Sequence, residues 1–90
     1  MIHRVILACG GVPAAAATSA ARGIEAEFKQ HRKHFKNVTC HFANGELVLG
    51  ADNDFDADGL ALMDEFSDLL SAFLPPFDGD IRFVSSELKS

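Results

Sequence analysis

Asp54, Asp56, Asp58, Gly59 and Glu65 fall at the first, third, fifth, sixth and twelfth places of the stretch DFDADGLALMDE. A hard divalent cation such as calcium needs six to eight oxygens. Carboxylates at alternate places around a tight glycine turn supply them, and Leu60 would add its backbone carbonyl. The same acids have a plainer use. Just ahead of a helix they accept hydrogen bonds from its free amides and favour the positive end of its dipole, each worth about 0.3–1 kcal/mol. The plainer use is the expectation, because the preceding NGELVLGADN reads as a strand of a hairpin and no second acidic loop follows. Calcium, or another divalent cation, held by Asp54, Asp56, Asp58, Leu60 and Glu65 is the alternative. No other cofactor is expected.

A second chemistry is suggested by Ala8-Cys9-Gly10-Gly11, where a thiol ends an apolar run and two glycines lead toward a helix. Amides at such a place can hold an anion, and a thiol beside a helix N-terminus can become a nucleophile. Read from the residues alone, the stretch is a structural turn. Over residues 4–29 it is also similar to the IIB subunits of sugar phosphotransferase systems, galactitol type. That resemblance implies a phosphocarrier in which Cys9 is phosphorylated and Gly10, Gly11, Thr18 and Ser19 surround the phosphate. By pattern, Asp54 to Glu65 resembles an EF-hand loop, with EFSDLLSAF as its exiting helix. Ala61 stands at the eighth place, where that family carries a branched apolar residue.

The run KQHRKHFK, Lys29 to Lys36, holds four cations and two histidines. Cations at a helix C-terminus meet its negative end, so stability alone accounts for them. An acidic partner docking there is the functional alternative. His31, His34, Cys40 and His41 lack the spacing of a closed zinc site, and Cys40 and His41 point to opposite faces of one strand. His31 falls in an apolar stripe and is expected in the core. There is no Ser/His/Asp set, phosphate-binding lysine motif or carboxylate pair with an evident cleft. An enzyme is therefore not the expectation.

These residues need elements to place them. Val5–Cys9 is unbroken and β-rich, as in a central strand. From about Ala14 to Phe35, Ala17, Ala21, Ile24, Phe28, His31 and Phe35 recur at alternating steps of four and three, one helical stripe. Gly23 lies inside it, at a cost of about 1 kcal/mol relative to alanine unless it marks a close contact. Val38–Ala43 and Glu46–Leu49 flank Asn44-Gly45, the strongest short hairpin signal. A second helix runs from Gly59 or Leu60 to Leu74, and Pro75-Pro76 ends it. A turn at Asp78–Asp80 leads to a last strand, Ile81–Ser85. The order β-α-β-β-α-β predicts an α+β two-layer sandwich of ferredoxin-like type: a four-stranded antiparallel sheet with two helices on one face and the first and third strands central.

Ninety residues suffice for a single domain, 1–90, with one modest core. Eight Phe without Trp or Tyr give core rings with no polar handle. The net charge of −5 divides into +4 over residues 1–44 and −9 over residues 45–90. An acidic chain with one basic patch argues against nucleic acid, which wants a continuous cationic face. Cys9 and Cys40 sit in apolar runs, as free buried thiols do. The apolar run after Met1 is too short for a signal peptide and reads as a strand, and no segment nears the ~20 apolar residues of a membrane span. These features predict a soluble cytoplasmic binding or interaction module, its open sheet face (Thr39, His41, Glu46, Val48) meeting a protein partner or a second copy.

Overall fold

The computed structural model describes residues 1–77 and 79–89. Its order is β1 (Ile2–Cys9), α1 (Ala14–His31), β2 (Lys36–Ala43), β3 (Glu46–Asn53), α2 (Leu60–Phe73) and β4 (Ile81–Lys89). The strands form one antiparallel sheet in the order β2-β3-β1-β4, the ferredoxin-like arrangement, with the two most apolar strands in the middle.

Alternation along the strands explains the layers. Val5, Leu7 and Cys9 of β1 face Ala51, Leu49 and Leu47 of β3, and all six are fully buried under the helices. α1 lays Ala17, Ala20, Ala21, Ile24 and Phe28 on them, and α2 adds Leu62, Phe66, Leu69 and Leu70. Each large side chain so buried contributes about 1.5–3 kcal/mol. Asn44 and Gly45 both take positive φ, 52° and 81°, which matches the hairpin to the strand twist. α1 and α2 meet where the Phe73 ring covers Gly23, leaving no space for a Cβ there. The mid-helix glycine is thus a contact point.

Two expectations need correction. α1 stops at His31, with Arg32 leaving helical geometry, and His31 is exposed rather than in the core. Phe35 reaches the core from the loop instead, edge-on to Phe28 at 5.7 Å. All four strands are also longer than expected, β1 beginning at Ile2, β2 at Lys36, β3 running on to Asn53 and β4 to Lys89. The polar end of β4, Ser86 to Lys89, pairs with Ile2–Val5 of β1, and a bulge near Val84 adjusts the register. That pairing with a central strand outweighs weak local β preference. The turn expected at Asp78–Asp80 includes position 78, which lies outside the described residues.

The face away from the helices carries Thr39, His41, Glu46 and Val48 together, as expected. Long charged side chains lie across its small residues. Arg82 spans Ala8 to hold Glu46 at 2.8 Å, and Arg4 crosses Gly50 to reach Thr39 Oγ1 at 2.9 Å. A Cβ on Gly50 would stand 2.7 Å from the Arg4 guanidinium, so the glycine clears its path.

Candidate functional site

The end of the sheet where β1 begins and β3 and β4 finish holds a hollow of about 430 Å³. Ile2, His34, Lys36, Asn37, Asp52, Asn53, Asp54 and Lys89 line it. Four strands and two loops therefore meet there, although these residues are scattered over the chain.

Asp52 is the centre of the wall. It is only 2% exposed, and unpaired it would be costly to keep charged. Three donors reach it: Lys89 Nζ at 2.7 Å, Asn37 Nδ2 at 2.8 Å and Arg4 at 3.3 Å. Burial pushes its carboxyl up, but hydrogen bonds from Lys89, Asn37 and Arg4 outweigh that and hold its pKa below the ordinary 3.8. Asp52 is thus a fixed anion that gathers cations. Arg4 also donates to the Asn37 carbonyl. Asn37 has φ of +50° beside a bulge in β2, between Lys36 and Thr39. Bulges re-aim side chains at sheet rims, and non-glycine residues at positive φ persist only where their surroundings hold them.

His34 brings an imidazole ring to the lining. His34 stacks against Phe35 (4.6 Å) and Phe55 (5.6 Å), and Phe55 is itself half exposed. These contacts bind the loop after α1 to the loop after β3. Asn53 shapes the second loop: its Oδ1 accepts from the amides of Phe55 and Asp56. Its Nδ2 is buried and finds no partner among the described residues.

Within the acidic stretch, Asp56 caps α2. Both Asp56 oxygens are spent on α2, accepting from the amides of Ala61 (3.1 Å) and Leu62 (2.9 Å). Gly59 makes the turn at φ 75°, close against Val5, where a Cβ would be both strained and crowded. Glu65 pairs with Arg32, which also meets Glu27 at 3.5 Å, so it ties α1 to α2. Leu60 is the first residue of α2, and Asp54 and Asp58 are exposed. The five candidate metal ligands of the alternative reading are not brought together. Among the described residues no three His, Cys, Asp or Glu side chains are placed to share a metal ion. That holds equally for His31, His34, Cys40 and His41, with Cys40 on the core side of β2 and His41 on the open side.

The cysteine loop is likewise dispersed. Cys9 is fully buried, its thiol directed at the Gly10 carbonyl (3.4 Å). Burial, with Asp80 and Glu46 nearby, pushes its pKa up to about 11, away from the thiolate that phosphoryl transfer needs. Gly10 donates its amide to the Asp80 carbonyl, and Gly11 turns at φ 76°. Thr18 and Ser19 are exposed on α1. Gly11 borders a hollow of about 310 Å³ between the start of α1 and the end of α2.

Arg4, Asn37, Asp52, Asn53 and Lys89 escape a reading of the sequence, since only strand pairing unites them. The one local hint is a strand that ends in Ala51-Asp52-Asn53, where polar residues continue a buried run. No protein-family model, curated protein or solved structure matches this chain.

Proposed function

We propose that this protein is a small non-enzymatic binding module whose ligand occupies the hollow at the Asp52 end of the sheet. The observation that carries this reading is a buried, ionised Asp52 held by Arg4, Asn37 and Lys89 in the wall of a cavity of small-molecule size. A lowered pKa suits an anchor and disfavours a general base, which works best with a pKa near the operating pH. The buried, high-pKa Cys9 weighs against a phosphocarrier, and the engaged Asp56 and Glu65 weigh against a calcium loop. Two free thiols suit a reducing compartment, so the cytoplasm is the proposed location.

The test is amide-shift mapping of the labelled protein against a panel of small organic acids, amines and sugars at millimolar concentration. At least one class should move Ile2, His34–Asn37, Asp52–Asp54 and Lys89 together. A panel that leaves all of them still would end the proposal.

A second reading has its own support. Phe83, Val84 and Leu88 are exposed on the edge strand β4, and such edges pair with other chains. Under this reading the protein self-associates through β4.

A further inference from the structure

The two outer strands are not equally open to another chain. Glu25 of α1 accepts from the Cys40 amide at 2.9 Å, so a donor of β2 is already occupied. Among the described residues the backbone of β4 pairs with β1 alone, and Phe83, Val84 and Leu88 are exposed along it. Such a row of free donors and acceptors is a template for a further strand.

The bulge in β4 decides which strand fits. Directly opposite residues of an antiparallel pair share one face of the sheet. At the bulge Ile6 faces Ser85 and Leu7 faces Phe83, so odd and even positions of β4 exchange faces around Val84. Arg82, opposite Ala8, and Glu87, opposite Arg4, therefore both lie on the open face. Ile81, Phe83, Ser86 and Leu88 lie on the helix side, opposite Cys9, Leu7, Val5 and His3.

These faces agree when β4 meets a second copy of itself about a two-fold axis beside Val84 and Ser85. Arg82 then stands opposite Glu87 of the second copy on the open face. On the helix side Phe83 meets Ser86 and Ile81 meets Leu88. A shift by one residue sets Arg82 against Leu88 and Phe83 against Glu87, across faces. A shift by two sets like charges together, Arg82 against Lys89 or Glu87 against Asp80, according to its direction.

The charges involved are free for this use. Glu87 forms no ion pair among the described residues. Arg4, opposite it on β1, is turned away to Asn37, Thr39 and Asp52. Arg82 gives Nε and Nη2 to Glu46, which leaves Nη1.

Building on the second reading, self-association through β4, we infer that two copies join β4 to β4 in the register that sets Arg82 opposite Glu87. The two sheets become one, with the helices of both copies on the same side.

The test is oxidative cross-linking of R82C, E87C and L88C, all at exposed positions, with one member of each mixture isotope-labelled so that mass identifies mixed dimers. The parent, whose Cys9 is buried and Cys40 half-buried, is the blank. R82C with E87C should yield at least about threefold more mixed dimer than R82C with L88C, and more cross-link than any variant alone, since opposite Cβ atoms lie about 4.5–5.5 Å apart and diagonal ones about 7–8 Å. Equal or greater yield from R82C with L88C, or from E87C alone, overturns the register and leaves β4 self-association standing. A parent mass that rises with concentration while no sample cross-links overturns pairing through β4. A mass that stays at 9.7 kDa, with no cross-link, removes self-association itself and leaves the edge to a different chain.

Discussion

Asp52 lies in a strand position where a neutral residue would be the ordinary choice, and it stays charged because Lys89, Asn37 and Arg4 replace the water it has lost. Its contribution to stability depends on pH with a definite sign. The folded pKa is below the unfolded value, so the unfolded chain binds the proton more readily. The contribution is complete above the ordinary value of 3.8 and disappears as pH falls through the folded pKa. D52N should therefore cost about 1–3 kcal/mol near neutral pH, the scale of a hydrogen-bonded charge whose partners Arg4 and Lys89 can still reach water. The gap between variant and parent should shrink below pH 4 in urea titrations. An equal gap at pH 7 and pH 3 would show that the charge contributes nothing. None of this is legible locally, since Asp52 is one residue among several aspartates and its partners lie 15 to 48 positions away.

At the level of elements, most of the architecture is legible because each signal is local. Asn44-Gly45 sets the hairpin through its own backbone, and Pro75-Pro76 lacks the amides to extend α2. The end of α1 misleads for a physical reason. Phe35 keeps the helical spacing, yet its ring enters the core from a loop, so the apolar rhythm outlasts the helix. Gly23 shows how packing overrides propensity. Alanine there should favour the helix by about 1 kcal/mol, but its methyl would collide with the Phe73 ring. G23A should destabilise the parent by about 1 kcal/mol and stabilise an F73A background by about 0.5–1 kcal/mol. Chemical denaturation of the four proteins measures the coupling. If G23A changes both backgrounds alike, the ring does not restrain the helix.

For the whole molecule, the two edges of the sheet differ. Each carries a bulge, at Asn37 in β2 and near Val84 in β4, but β2 packs against α1 whereas β4 exposes Phe83, Val84 and Leu88. If β4 is an association surface, light scattering should show the mass rising above 9.7 kDa as the concentration approaches about 1 mM, a typical range for a weak contact. V84K should hold it at the monomer value, because a lysine blunts an open edge. A parent that stays monomeric over that range rules out β4 self-pairing. The open face of the sheet is a poorer surface for an apolar partner, since Arg4 and Arg82 lie across it. What the chain's own order of residues determined is the succession of elements, the hairpin, the central place of β1 and β3, and the cap role of Asp56 in the acidic stretch, for these depend on neighbours a few positions apart. What only the folded arrangement decided is the hollow around Asp52, the engagement of Glu65 by Arg32 and the seclusion of Cys9. Each depends on groups brought together by strand pairing and packing, and no local rule encodes that distance.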